Sequence, residues 1–144
     1  MRFRKEIEVG RSVEEAFAYV ADFSNAEEWD PGVVEAAKLT EGSVRLGSEF
    51  DLVALFRGKR HRFRYVVTDF DENRRIVLAA EGDRVDSVDQ IALEPAGTGA
   101  RITYVADLQL KGIFRLASPL LAPVVNRMGD AALEGLKTVL DRPR

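Results

Sequence analysis

Between Phe3 and Val9 apolar and polar residues alternate, with Phe3, Ile7 and Val9 on one side. A period of two is that of a half-buried strand. Ser12 then stands three residues before Glu15, a capping box, and Val13, Ala16, Phe17 and Val20 form one helical stripe behind it. A second short helix is expected from Ser24. It stops near Trp29, because Asp30 precedes Pro31 and Gly32 follows. Residues 33 to 110 return to the strand period, interrupted at Glu41-Gly42, Gly58-Lys59, Asp71-Glu72, Gly82-Asp83 and Ala96-Gly97-Thr98-Gly99. From Phe114 to Leu140 the spacing is helical again, with Leu121, Val125, Met128, Ala132, Leu136 and Leu140 on one face. Pro119 and Pro123 predict a separate or kinked first turn. The predicted order is strand, two short helices, six strands, long helix.

The turns imply a register. A loop at Gly58-Lys59 places Phe56 opposite His61, Ala54 opposite Phe63, Leu52 opposite Tyr65 and Phe50 opposite Val67. The loop at Asp71-Glu72 places Val67 opposite Ile76, Tyr65 opposite Leu78 and Phe63 opposite Ala80. A turn at Gly82-Asp83 adds Ala80 with Val85, Leu78 with Ser87 and Ile76 with Asp89. The last hairpin pairs Leu93 with Ile102, Ile91 with Tyr104, Asp89 with Ala106 and Ser87 with Leu108. All four turns agree on one apolar face. The other face collects Glu49, Asp51, Arg57, Arg60, Arg62, Arg64, Glu94 and Arg101, with Glu94 across from Arg101 as a favourable pair.

The apolar face needs a cover, and the C-terminal helix has the matching stripe. Yet His61, Tyr65, Ser87, Asp89 and Tyr104 fall on that same face. In a dry core each would cost a few kcal/mol unless paired. A cavity between sheet and helix relieves that cost.

Composition narrows the chemistry. The 144 residues hold no cysteine and one histidine, which removes disulfides, thiolate metal sites, a Cys nucleophile and a two-His metal centre. No metal site and no cofactor are expected. A net charge of −3 argues against general nucleic-acid affinity. No apolar run approaches the ~18 residues of a membrane span, and MRFRKEIEV has no apolar leader, so a cytoplasmic protein without integral membrane association is expected. No linker, repeat or low-complexity stretch divides the chain, so residues 1–144 read as one domain. Gly97-Thr98-Gly99 lies between strands without a following helix or lysine and is no phosphate loop. Asp83, Asp86 and Asp89 lack calcium-loop spacing.

The segments VEEAFAYVADFSNAEEWDPGV (Val13–Val33) and LEPAGTGARITY (Leu93–Tyr104), with the closing amphipathic helix, resemble the SRPBCC superfamily. Its members include START lipid-binding domains, the birch-pollen allergen and polyketide cyclase/dehydrase-like proteins. The resemblance implies an α+β helix-grip fold: a curved antiparallel sheet of about seven strands around a long C-terminal helix. It implies an apolar cavity between them, and no universal catalytic motif comes with it.

Asp89 is the most informative residue. Facing inward it carries a pKa raised by desolvation, as a general acid or base requires; a bulge would instead turn it to solvent. Tyr104, diagonal to it, is the weak second candidate for catalysis. Tyr65 and Tyr104 either bind a ligand oxygen or fill the core with the hydroxyl on backbone. His61 is either a proton shuttle at the cavity mouth or a rim residue between Arg60 and Arg62. Trp29 either gates the cavity or plugs the short helices against the sheet. The expected ligand wall is Phe50, Leu52, His61, Phe63, Tyr65, Leu78, Ser87, Asp89, Tyr104, Leu121, Val125 and Met128, with plain core the alternative for the helix's C-terminal half. The cationic run RGKRHRFR (Arg57–Arg64) reads as a solvated strand, since Arg60, Arg62 and Arg64 face away from the aromatics. Three functions follow in order: binding or transport of a small hydrophobic ligand (lipid, isoprenoid or polyketide-like), a cyclase/dehydratase-type enzyme using Asp89 and a tyrosine, and a partner-protein module using the basic strand. The sequence leaves the oligomeric state open.

Overall fold

The computed structural model describes residues 1–143. Strand β1 (Arg2–Val9) is followed by α1 (Val13–Val20), a 3₁₀ turn (Phe23–Asn25) and α2 (Ala26–Trp29). Six strands follow: β2 (Val33–Lys38), β3 (Glu49–Phe56), β4 (Lys59–Asp71), β5 (Arg75–Glu81), β6 (Val85–Ala96) and β7 (Gly99–Leu110). A 3₁₀ segment (Gly112–Ala117) leads into α3 (Ser118–Leu140). The seven strands form one antiparallel sheet ordered β1-β7-β6-β5-β4-β3-β2. This is the helix-grip arrangement. Among the described residues no helix is long and apolar enough to cross a membrane.

Local chemistry explains the elements. The Ser12 hydroxyl accepts from the Glu15 N–H at 3.2 Å, and α1 buries the expected Val13, Ala16, Phe17 and Val20. Asp22, rather than Ser24, caps the second helical stretch, accepting from the Ser24 N–H at 3.0 Å. Asp30 turns the chain out of α2: its Oδ1 accepts from the Gly32 N–H at 2.8 Å. That side-chain turn delivers the chain to β2.

Three of the four predicted hairpin registers are displaced, each by two residues. The first turn uses Arg57-Gly58, both at positive φ (52° and 76°), so Gly occupies the second turn position rather than the first. Phe50 therefore pairs with Tyr65 and Leu52 with Phe63. The second loop is three residues long with Asn73 at φ 66°, which alone would invert the faces. A bulge at Thr68 restores them, giving Val67 opposite Leu78. Around Gly82 the loop widens, held by Lys111 Nζ on the Gly82 carbonyl at 2.8 Å and on Asp86 at 3.0 Å, and Leu78 meets Asp89. The last hairpin has the predicted partners throughout. Because the displacement at each predicted pair is even, none of the predicted partners changes face. Asp89 points inward.

The core is Phe23, Phe50, Ile76, Leu78, Ile91 and Ile102 against Leu133 and Leu136, all fully buried. Only the second half of α3 takes part: Ala132, Leu133, Leu136 and Leu140 are buried, whereas Leu121, Val125 and Met128 are partly open. On the outer face Glu94 and Arg101 meet at 2.6 Å as predicted, and Arg101 also reaches Glu8. Arg57, expected on that face, sits in the turn instead.

Candidate functional site

Where α3 lifts off the sheet, it leaves a cavity of about 580 Å³, within the range of small-molecule sites. Its closed end is formed by Phe23, Ala26 and Trp29 from the short helices and by Leu133 from α3. Gly135 lets α3 approach this closed end, since a Cβ there would overlap the Trp29 carbonyl oxygen. Leu121, Val125 and Met128 make the helical wall, while Leu52 and Phe63 belong to the sheet wall. Both groups are where the sequence placed them. Phe50 and Leu78 are not part of this wall. Both are fully buried and pack into the core, and Phe50 stacks against the Phe23 ring at 6.2 Å between centroids. They differ from expectation because parity assigns a face, whereas depth depends on what lies opposite.

The buried end carries the polar groups. Ser87 and Asp89 are neighbours on one face of β6, and the Ser87 hydroxyl donates to Asp89 Oδ1 at 2.6 Å. Tyr104 on β7 donates its hydroxyl to Asp89 Oδ2. Tyr65 on β4 faces the same pair, and its phenol interacts with both Ser87 and Asp89. Among the described residues only Ser48, Ser87 and Asp89 are buried polar or charged side chains, and two of these three are here. Burial raises the Asp89 pKa, and the hydrogen bonds from Ser87 and Tyr104 counter it. Burial and the nearby Asp89 charge hold both tyrosines well above their ordinary value. They are therefore neutral donors.

A second carboxyl lies close by. Asp30 also lines the cavity, and burial raises its pKa to about 6, with the Asp89 charge adding to the rise and the Gly32 N–H opposing it. In the sequence Asp30 marks only a helix stop. Its Asp-Pro-Gly context signals a turn, and nothing local signals that the turn is covered by α3. Trp29 is a plug: its ring is buried and meets Tyr104 edge-on at 6.3 Å, with Nε1–H buried and unpartnered. His61 sits at the opposite, open end with Phe56 at 6.3 Å, away from the Asp89 cluster. It lies on the rim, beside Lys59 and Arg84.

The arrangement can solvate one oxygen function of an otherwise apolar molecule. The walls offer contact area, and one end offers two tyrosine hydroxyls and two carboxyls of raised pKa.

A family model described as polyketide cyclase / dehydrase and lipid transport matches residues 1–141. Among curated proteins none matches the sequence. Solved structures share the fold. TTHA0849 from Thermus thermophilus has 19% identity and a TM-score of 0.83, covering 97% of each chain. The Zhui aromatase/cyclase from Streptomyces sp. R1128 has 14% identity and a TM-score of 0.82, over 99% of this chain and 94% of that one. A START superfamily protein from Mycobacterium smegmatis has 23% identity and a TM-score of 0.72, over 97% and 94%.

Proposed function

The chain belongs to the polyketide cyclase / dehydrase and lipid transport family, and we propose that it binds a small, largely apolar ligand bearing one buried oxygen function. The observation that carries this reading is the division of the cavity. Its long walls are apolar, and its buried polar residues gather at the Ser87–Asp89–Tyr104 end. Burial of the ligand's hydrocarbon surface supplies affinity at about 25 cal/mol per Å². The polar end then fixes orientation, because a ligand lacking the matching oxygen leaves those groups poorly satisfied.

A second reading, catalysis of the cyclase/dehydratase type, is favoured by one observation. Asp30 and Asp89 are two carboxyls at one site in different surroundings: Asp89 is held by two hydroxyl donors, whereas Asp30 has a single backbone donor and a pKa near 6. Such a pair suits separate acid and base roles on a bound polyketone. Asp30 then exchanges the proton, and Tyr104 turns its hydroxyl from Asp89 to donate to the ligand carbonyl. The partner-protein reading of the outer strand has less support, since Arg60 pairs with Glu35 at 2.9 Å and Arg64 with Asp51 at 2.8 Å.

The test is calorimetric titration with naphthalene and 2-naphthol, which differ by one hydroxyl. The native protein is expected to prefer naphthol by about tenfold, the worth of a hydrogen bond to a charged group. Asp89→Asn is expected to erase that preference while leaving the circular dichroism spectrum and naphthalene affinity unchanged. Equal affinities in the native protein, or an undiminished preference in the variant, overturn the proposal. Turnover of a polyketone that is lost in both Asp30→Asn and Asp89→Asn decides for the catalytic reading.

A further inference from the structure

The segment between β7 and the body of α3 is apolar on two sides. One side, Phe114, Ala117, Leu121 and Val125, lines the open end of the cavity. The other side is Ile113, Leu116 and Leu120, spaced three and four apart, with exposures of 80%, 85% and 79%. Exposure this high means that the side chains stand out from the surface with nothing against them. Large aliphatic residues gathered in this way mark an interaction site.

Cations surround the same mouth. Arg57 from the β3–β4 turn, Lys59 at the start of β4 and Arg84 from the β5–β6 loop line it, and Arg115 lies in the adjoining segment. Among the described residues none of the four is in an ion pair, whereas Lys111 close by is held by Asp86. Lys59 and Arg84 share one small cleft, with Asp83 as its acidic member. Arg84 also lies over the Phe114 ring at 5.2 Å, which fastens the segment to the β5–β6 loop across the mouth. The whole chain carries −3, so this positive rim is local, against the overall sign.

We propose that this lip docks peripherally on an anionic lipid surface, with Ile113, Leu116 and Leu120 inserted and Arg57, Lys59, Arg84 and Arg115 at the headgroups. Protruding aliphatics fit a bilayer because hydrocarbon accepts them without a matching groove, while cations beside them meet anionic headgroups. A protein partner would have to supply the groove. Docking in this pose brings the cavity mouth against the acyl region. An apolar ligand then enters or leaves without crossing water, a consequence that rests on the ligand-binding reading above; the docking itself does not.

Flotation with vesicles, without added ligand, tests it. Vesicles of phosphatidylcholine alone are compared with vesicles of one part phosphatidylglycerol to two parts phosphatidylcholine, at low and at physiological salt. The native protein is expected to bind the anionic vesicles at least about tenfold more tightly, with the preference shrinking in salt. Leu116→Glu with Leu120→Glu is expected to lose about tenfold or more of that binding, as inserted apolar area is replaced by charge. Lys59→Gln with Arg84→Gln is expected to flatten the salt dependence. Both pairs are expected to keep the native circular dichroism spectrum and urea midpoint, which certify that they fold. An Ile113→Trp reporter is expected to shift its emission to the blue on anionic vesicles only. No preference for anionic vesicles at low salt, undiminished binding by the Leu116/Leu120 variant, or a lip-dependent dimer in light scattering without vesicle binding overturns the proposal.

Discussion

Replacing Asp30 by Asn should make this protein more stable above pH 6 and leave its stability nearly unchanged in acid. Asp30 is confined between the end of α2 and the cavity, and burial moves its pKa from 3.8 to about 6. A carboxyl whose folded pKa is raised holds its proton in the window between those values, where the unfolded chain has already lost it. Unfolding then releases a proton, so stability falls as pH rises through the window and stays lower above it. A displacement of about two pH units at 1.36 kcal/mol each amounts to roughly 3 kcal/mol. Asn has the same shape, and its Oδ1 still accepts from the Gly32 N–H that Asp30 uses at 2.8 Å. The variant keeps the turn and removes the charge. Urea unfolding followed by Trp29, the single tryptophan, should show a gain of about 2–3 kcal/mol at pH 7.5, or about 5–10 °C in Tm. The gap should narrow steadily toward pH 4. A gap independent of pH, or no gain at pH 7.5, would contradict the claim that the partly buried Asp30 is a costly charge. A confirmed gain also argues that the carboxyl is kept for function, since a more stable residue fits the same space.

Two further outcomes follow from the packing. Gly135→Ala drives a methyl into the Trp29 carbonyl, with backbone on both sides, and should cost about 3 kcal/mol or more in urea unfolding; an unchanged midpoint would show that α2 and α3 are not pressed together there. Val125→Trp fills the cavity from a helical half with no buried residues, so it should abolish naphthalene binding in calorimetry while costing under about 1.5 kcal/mol; retained binding would place the ligand elsewhere.

The order of elements and the faces of the strand residues around the site were legible in the chain before folding. Both follow from local periodicity: Ser12 with Glu15 starts α1, and a period of two assigns Tyr65, Ser87, Asp89 and Tyr104 to one side. Turn positions were read less well: the errors at Arg57-Gly58 and Gly82 were even, and the odd one at Asn73 was cancelled by the bulge at Thr68, so the faces around the site stayed intact. Depth was not legible, because it depends on which layer lies opposite. On α3 one unbroken stripe holds Leu121, Val125 and Met128 as cavity wall and Ala132, Leu136 and Leu140 as core. Phe50 and Leu78 share a face with Leu52 and Tyr65, and only the packing of Phe23 over Phe50 separates core from wall. Asp30 shows the same limit most sharply. Its Asp-Pro-Gly turn is written in three adjacent residues, whereas the burial that raises its pKa comes from chain folded over it and from Asp89, fifty-nine positions along the sequence. Periodicity describes one element against its own axis; a buried charge is made by elements that meet only when the chain has folded.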